Sequence, residues 1–253
     1  MYSKDFYERR RKRTRVGEEK ILKILLDLLP SINSAIDVGC GTGKWVATLT
    51  GLGVARAIGA DGPWLEPSLL EIPEDQFVKV DLSEPSRLRA IFARREFDMA
   101  ICVEVAEHLT EDAAPQLVNA LTYLAPVVLF SAAIPGQGGV NHVNEQWLEY
   151  WRSLFEQEGF RCGDFIRRRI WWDCEIALCY RQNIVCFCDE ALLKANPGLG
   201  QYFLDPVVSV VHPELWSSRI SQPSIRKAWR LLLNAIWRRA SRSIWQRMKK
   251  RPG

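Results

Sequence analysis

The stretch that decides the fold is Ala-Ile-Asp-Val-Gly-Cys-Gly-Thr-Gly-Lys-Trp, residues 35–45. An apolar run leads into a loop with glycines at alternate positions, and helical sequence begins at Lys44. Alternate glycines let the backbone turn sharply and approach a ligand closely, and the open amides of a helix N-terminus face that ligand. The spacing fits neither the dinucleotide motif G-x-G-x-x-G nor, because Trp45 follows Lys44, an ATP-binding P-loop. A strand–helix turn without a ligand is disfavoured, since three alternating glycines follow a buried acid.

Short apolar strands alternate with helical stretches along the chain on either side of this loop. We predict strands at residues 34–39, 54–60, 77–81, 97–103 and 126–131. We predict helices at residues 17–29, 44–52, 84–94, 111–124 and 144–158. This alternation predicts a parallel sheet with helices on both faces. Two longer apolar runs, 160–166 and 175–187, have no full helix between them and predict a terminal antiparallel hairpin, and residues 196–200 carry a loop signal.

The composition excludes several classes of protein. Of the 253 residues, 47% are hydrophobic and 25% are charged, as in a globular domain rather than a disordered or fibrous chain. No run approaches the roughly 20 apolar residues that a membrane-spanning helix needs, and the N-terminus carries no apolar signal segment. None of the seven cysteines forms a C-x-x-C pair, so we expect reduced thiols in a cytoplasmic protein.

The net charge of +4 conceals an uneven distribution. Residues 1–16 sum to +5 and residues 215–253 to +11, whereas residues 17–214 sum to −12. We predict a basic N-terminal arm and helix (1–30), a central domain (31–190) and a C-terminal extension with a basic amphipathic helix (191–253). The acidic central domain disfavours nucleic acid as its partner.

The two basic ends suggest contacts of their own. From residue 224 an apolar stripe that includes Trp229, Trp237 and Trp245 faces a wholly basic side, which suits a peripheral helix on an anionic membrane surface. Packing against the protein core, or dimerisation, is the alternative for this stripe. The basic run 9–15 suits nucleic acid, anionic lipid, or a solvated arm or lid over the pocket. The sequence leaves the oligomeric state open.

Residues 37–43, Asp-x-Gly-x-Gly-x-Gly, resemble the first motif of class I S-adenosylmethionine-dependent methyltransferases. The resemblance covers residues 35–190 and implies an α/β, Rossmann-like fold with a mostly parallel seven-stranded sheet and S-adenosylmethionine as cofactor. Asp61 ends the second strand, where a carboxylate accepts the ribose hydroxyls, and Asp81 ends the third, where the family commonly places an acid near the adenine amino group. A solvated strand end or helix cap is the alternative for either acid. The implied cofactor-binding residues are Asp37, Gly39, Cys40, Gly41, Gly43, Asp61, Gly62, Asp81, Leu82 and Glu104.

A cluster of ionisable residues follows the fourth predicted strand. Glu104, Glu107 and His108 lie at its carboxyl end, where open α/β sheets bind ligands, and His142 lies on the loop after the fifth strand. Spacings of three and four place Glu104 on one helical face with Glu107 and His108, if a helical turn begins there. Two carboxylates and an imidazole suit a divalent cation such as Mg²⁺.

The E-x-x-E-H pattern resembles the magnesium motif of ubiquinone-pathway O-methyltransferases and small-RNA 2′-O-methyltransferases. That resemblance implies Glu104, Glu107, His108 and His142 as metal ligands. A similar pattern occurs in many metal-free class I methyltransferases, in which the first acid lies near the cofactor and the histidine serves as base or only packs. Three roles therefore stay open: metal ligation, general-base catalysis by His142 or, second, by His108, and a purely structural role.

Residues 138–147, together with 180–183, resemble a bacterial methyltransferase subgroup often associated with polysaccharide pathways, which implies a saccharide hydroxyl as acceptor. The segment sets polar groups beside aromatic rings, a mixture that holds sugars by hydrogen bonds and stacking. A helix start capped by Asn144, with Trp147 in the core, is compatible with this role.

We therefore expect an enzyme that moves a methyl group from S-adenosylmethionine to a hydroxyl oxygen of a saccharide or glycan precursor. RNA 2′-O-methylation is one alternative: the E-x-x-E-H pattern and the basic ends allow it, whereas the acidic body and the lack of a separate RNA-binding module in the sequence oppose it. A non-catalytic, membrane-associated assembly partner is the other, and the intact glycines and acids oppose that.

Overall fold

The computed structural model describes residues 16–29, 32–204 and 207–220. The chain divides into two compact units, residues 1–212 and residues 213–253. In the second unit the described residues form a helical turn, Pro213–Leu215, followed by a π-helix, Trp216–Ile220. The predicted basic arm and the predicted helix from residue 224 lie outside the described residues. Among the helices that the structure describes, none is long and apolar enough to cross a membrane.

The first unit is a sheet of seven strands with helices on both faces. The strands are β1 (Ser34–Val38), β2 (Arg56–Asp61), β3 (Phe77–Lys79), β4 (Met99–Val103), β5 (Val127–Ser131), β6 (Phe160–Gly163) and β7 (Val185–Asp189). The α-helices of its described residues are α1 (Val16–Leu26), α2 (Lys44–Gly51), α3 (Leu88–Ile91), α4 (Ala114–Leu124), α5 (Leu148–Gln157), α6 (Phe165–Ile170), α7 (Leu178–Asn183), α8 (Glu190–Ala195) and α9 (Pro197–Gly200). Short 3₁₀ turns, among them Pro85–Arg87, Ala106–His108 and Glu111–Ala113, join several of them.

The strand order is β3-β2-β1-β4-β5-β7-β6. The first five strands in this order pair in parallel, and β7 runs antiparallel to both β5 and β6. The order reverses between β1 and β4, and in open α/β sheets a ligand binds at that point, beyond the carboxyl ends of the strands. The mostly parallel, Rossmann-like α/β fold predicted from the sequence is confirmed.

Two apolar cores cover the two faces of the sheet. On one face α4 and α5 pack against the strands, and Phe155 of α5 stacks on Phe187 of β7 with ring centroids 3.8 Å apart. On the other face α1, α2 and α6 pack, with Ile21, Leu22 and Leu25 of α1 fully buried. Burial on both faces explains why the central strands read as continuous apolar runs rather than alternating ones.

The region between β6 and β7 differs from the prediction. The runs 160–166 and 175–187 form strands only at their outer ends, and two helices, α6 and α7, occupy the positions between. The prediction of two long strands was wrong because short apolar runs fit a buried helix as well as a strand. Two buried arginines also favour the helices: Arg167 pairs with Asp164, and Arg181 donates to the carbonyl of Ile176.

Three further elements depart from the predicted bounds. The helix predicted at 144–158 begins only at Leu148, so Asn144 does not cap it, and Trp147 is 42% exposed rather than in the core. The helix predicted at 84–94 is a 3₁₀ turn followed by the single turn α3. Residues 197–200, predicted as loop, form the short helix α9, which Pro197 begins.

Candidate active site

The glycine loop between β1 and α2 has the backbone that its sequence requires. Gly39, Gly41 and Gly43 have φ angles of +83°, +53° and +87°, a region that other residues rarely adopt. Space is restricted as well. A Cβ atom on Gly39 would lie 2.4 Å from the Val105 side chain, and one on Gly43 would lie 2.8 Å from Ile72. Conformation and close packing therefore both demand glycine here.

The glycine loop opens onto a cavity of about 670 Å³. This volume lies within the range of roughly 300–1,000 Å³ that is usual for small-molecule and cofactor sites. Four elements line it: the loop with the first turn of α2, the end of β4, the start of α1, and residues 174–181. The cavity therefore lies at the carboxyl ends of β1 and β4, where the strand order reverses.

The acids predicted to hold the cofactor lie at or near the loop. Asp37 is buried at 2% exposure in β1. Asp61 accepts hydrogen bonds from the amides of Gly41 and Gly62 at 2.7 and 2.6 Å, so its carboxylate faces the glycine loop. Neither acid lines the 670 Å³ cavity. The indole of Trp64 covers Gly62, since a Cβ atom there would lie 2.0 Å from the ring.

Three other predicted cofactor residues lie in different surroundings. Asp81 accepts a hydrogen bond from the Ser83 amide at 2.9 Å, and this bond holds the pKa of the carboxyl below its usual range. Leu82 is buried in the apolar core. Burial, with the charges of Asp37 and Asp61, raises the pKa of the Cys40 thiol well above its usual value, so Cys40 presents a neutral side chain at the loop.

Glu104 is fixed at the end of β4 and lines the cavity. Its φ angle of +56° is unusual for a residue with a side chain. Ser131 Oγ and Asn183 Nδ2 donate to its Oε1 at 2.8 and 3.0 Å, and its own amide donates to Ser131 Oγ at 3.0 Å. These bonds from β5 and α7 hold the carboxylate at the cavity wall.

Glu107, His108 and His142 come together as predicted. Each offers one ligand atom such that all three atoms lie within 4.8 Å of one another. The two imidazole rings meet edge to face at 4.9 Å, and Glu107 is fully buried. Glu104 lies outside this group. The expected shared helical face is wrong, because the 3₁₀ turn begins only at Ala106 and the left-handed Glu104 precedes it.

Hydrogen bonds at Nδ1 orient both imidazoles. His142 Nδ1 lies 3.0 Å from Oε1 of Glu145, and His108 Nδ1 lies 3.3 Å from the Asn141 carbonyl. Because an ionised carboxylate or a carbonyl only accepts, each ring donates a proton from Nδ1 in these bonds. His142 Nε2 lies 4.0 Å from Oε1 of Glu107. None of Glu107, His108 and His142 lines the 670 Å³ cavity.

The structure adds cavity residues that the sequence did not indicate. Residues 174–181, predicted as strand, form one wall of the cavity, and Glu18 of α1 forms part of another. Asn183, noted only as part of a motif, holds Glu104. The burial of Glu18 could have been predicted from its helical spacing. It precedes Ile21, Leu22 and Leu25 by three, four and seven positions, so it lies on their buried face.

The chain matches the family model described as a methyltransferase domain over residues 7–171, more than half of its length. Among curated proteins there is no match. The chain therefore belongs to this methyltransferase family. Family and fold together make it a class I enzyme dependent on S-adenosylmethionine.

Several solved structures are similar in fold. A SAM-dependent methyltransferase from Archaeoglobus fulgidus aligns with 18% identity and a TM-score of 0.48, covering 58% of this chain and 70% of that one. Human N-acetylserotonin methyltransferase in complex with SAM aligns with 15% identity and a TM-score of 0.46, covering 68% and 51%. An O-methyltransferase family protein from Burkholderia thailandensis aligns with 11% identity and a TM-score of 0.46, covering 69% and 58%. The chain thus spans between 51% and 70% of the length of these proteins.

Proposed function

We propose that the enzyme transfers the methyl group of S-adenosylmethionine to a hydroxyl oxygen, and that the hydroxyl belongs to a saccharide or glycan precursor. The observation that carries the hydroxyl assignment is the His142–Glu145 pair, in which a carboxylate holds Nδ1 and orients the imidazole on the loop after β5. A neutral imidazole is a suitable base for a hydroxyl proton near pH 7.

The described residues fit the proposed cofactor. The loop with the left-handed glycines opens onto the cavity, Glu104 presents a fixed carboxylate at the cavity wall, and Asp61 presents one to the glycine loop. When bound, S-adenosylmethionine supplies a methyl group already activated by its positive sulfur. The glycine loop would hold the amino-acid part, and Asp61 the ribose hydroxyls, after exchange of its bond to the Gly41 amide.

The chain's own groups account for proton removal and alignment. His142 accepts the acceptor's hydroxyl proton at Nε2, while Glu145 keeps the ring proton on Nδ1 and stabilises the imidazolium that forms. Alignment of acceptor and donor in a closed site contributes several kcal/mol to lowering the barrier, by analogy with roughly 7–11 kcal/mol in well-oriented intramolecular reactions. His108, whose ring contacts His142, is the second choice of base.

A saccharide acceptor is supported by the surface beside the histidines. Val140, Val143 and Trp147 are 58%, 66% and 42% exposed, next to the polar side chains of the same loop. Exposed apolar and aromatic groups beside hydrogen-bonding groups suit the two faces of a sugar ring. The glycan assignment otherwise rests on the sequence resemblance alone.

The test is transfer of labelled methyl from S-adenosylmethionine into glycan precursors, RNA and small hydroxyl compounds, with the enzyme and its His142→Ala variant. Label in a saccharide that the variant abolishes is the expected result. Label in RNA would overturn the saccharide assignment in favour of RNA 2′-O-methylation. Label on nitrogen or carbon atoms would overturn the hydroxyl assignment. Calorimetry with S-adenosylmethionine checks donor binding separately.

A divalent cation at Glu107, His108 and His142 is a second candidate, favoured by one observation. Nδ1 of each imidazole is held by an oxygen, which is the usual support of a metal-bound histidine. These nitrogen and carboxylate donors would fit the cation, which would supply Lewis acidity toward the acceptor oxygen.

Electron paramagnetic resonance of added Mn²⁺ tests the second candidate without activity. Bound Mn²⁺ in the wild type, lost in His108→Ala and kept in Asp112→Asn, is the expected pattern. Equal binding by all three proteins would rule the cluster out as its site.

Attachment to an anionic membrane surface is a further proposal, carried only by residues outside the described ranges. Flotation with phosphatidylglycerol vesicles, comparing the full chain with a chain that ends at residue 220, tests it. Equal flotation of the two chains would overturn it.

A further inference from the structure

The first turn of α1 carries a buried acid that the proposed mechanism does not use. Glu18 is 7% exposed and lines the cavity beside Gly17. Within the described part of the chain its carboxylate makes no hydrogen bond or ion pair. It continues the buried face formed by Ile21, Leu22 and Leu25, at the end of the helix where the apolar core gives way to the cavity.

The surrounding contacts fix Glu18 in this position. Gly17 packs directly on the backbone of Ile176, since a Cβ atom on Gly17 would lie 3.5 Å from its Cα. Lys20, one turn along, pairs with Asp173 at 2.5 Å and with Glu175 at 2.6 Å. The start of α1 is therefore held against the wall 173–177, so Glu18 is directed into the cavity by the helix itself.

Two cations of the described residues at this part of the cavity, Lys20 and Arg181, have other partners. Lys20 is shared between its two acids. Arg181, the arginine of the cavity wall, donates to the carbonyls of Ile176 and Trp171 at 3.1 and 3.4 Å. Glu18 therefore presents to the cavity a carboxylate that no described side chain pairs with, and a cationic ligand group would supply that partner.

We propose that Glu18 binds the α-ammonium group of the methyl donor's amino-acid part, an inference that rests on the proposed function. The glycine loop lines the same cavity as Glu18, and its amides and the start of α2 suit the α-carboxylate of the same amino-acid part. In this arrangement Glu18 binds the ammonium group and the glycine loop binds the carboxylate group of the same amino-acid part. Glu18 is a binding residue for the donor, supplied by the helix that precedes the Rossmann-like sheet.

The test is calorimetric binding of two probes, S-adenosylhomocysteine and its deaminated analogue, in which a keto group replaces the amine. The wild type is expected to bind the amine at least tenfold more tightly. Glu18→Gln is expected to abolish that preference by weakening the amine alone. Glu19→Gln is the matched control, because Glu19 is exposed on the same turn and pairs with Lys23.

The possible outcomes distinguish a failure of this inference from a failure of the proposed function. A wild type that binds neither probe nor S-adenosylmethionine overturns the proposed function and this inference with it. A wild type that binds both probes equally, or a Glu18→Gln variant that keeps the wild-type preference, overturns the inference alone. A wild type without the preference overturns the inference even if the variant does not fold, and circular dichroism reports folding of the variant directly.

Discussion

Glu145 connects His142 to the backbone of its own loop. One carboxylate oxygen accepts the Gly138 amide at 2.7 Å and lies 3.0 Å from His142 Nδ1, and the other accepts the Gly136 amide at 2.8 Å. A single side chain therefore fixes both the path of the loop and the tautomer of the imidazole. This arrangement explains how a residue on a connecting loop can be held in one orientation.

Glu145→Gln is expected to lower kcat by about 10- to 100-fold, the usual effect of removing a group that orients a functional histidine. An amide has one acceptor oxygen, so at least one of the three bonds is lost. The dissociation constant for S-adenosylmethionine should not change. Steady-state kinetics and calorimetry measure the two quantities. Glu156→Gln, at an exposed pair with Arg152, is the control, and an unchanged kcat in Glu145→Gln would contradict the positioning role.

Gly139→Ala is expected to displace the His142 ring. The added Cβ atom would lie 2.0 Å from Nε2, the atom that the proposal assigns to proton removal. We expect kcat to fall while donor binding is retained, because Gly139 is remote from the glycine loop in sequence and does not line the cavity. Gly198→Ala, which meets nothing within 4 Å, controls for the substitution. Equal kcat values in the two variants would mean that His142 is not the base.

Gly39→Ala is expected to cost more stability than Gly53→Ala. Both residues have positive φ, +83° and +90°, so both variants incur the left-handed strain of roughly 1–2 kcal/mol. Only Gly39 also collides with a neighbour, Val105, and overpacking adds about 1–3 kcal/mol. Urea unfolding gives the two free energies, and calorimetry should show weaker donor binding for Gly39→Ala alone. If the two variants lose the same free energy of unfolding, the Val105 side chain moves aside without cost.

The alternation of strands and helices was predictable because β1, β4 and β5 are buried on both faces and therefore have continuously apolar sequences. The same reasoning failed between β6 and β7. There, the apolar residues of α6 and α7 are buried around Arg167 and Arg181, which also donate to the backbone carbonyls of Gln182 and Ile176, and no sequence pattern reveals those long-range and backbone contacts. Local pattern identifies which residues are buried more reliably than it distinguishes a short helix from a short strand.

For the site, the glycine loop was predictable because left-handed backbone and close packing leave glycine as the only residue that fits. The meeting of Glu107, His108 and His142 followed from the shared edge of the parallel strands. The position of Glu104 was not predictable, because its left-handed φ angle interrupts the helical spacing that the sequence suggests. The cavity wall formed by residues 174–181 was not predictable either, because it depends on long-range packing against α1.

The buried thiols predict a loss of stability at alkaline pH. Burial raises the pKa of Cys188 to about 12 and raises those of Cys40, Cys102, Cys162 and Cys186 as well, so these thiols stay protonated in the folded protein. In the unfolded chain they ionise near pH 8.5. Their contribution is therefore fully present below about pH 8.5 and is lost as the pH rises toward the folded-state pKa values.

The expected size of the alkaline effect is about 1.4 kcal/mol per thiol for each pH unit above 8.5. Urea unfolding at pH 7.5 and pH 9.5 measures it. Cys186→Ala should reduce the difference between the two free energies of unfolding, whereas Cys174→Ala should not, because the Cys174 side chain is exposed. If the two variants show the same difference as the wild type, the thiols do not govern the alkaline limit, and deprotonation of another buried group must do so.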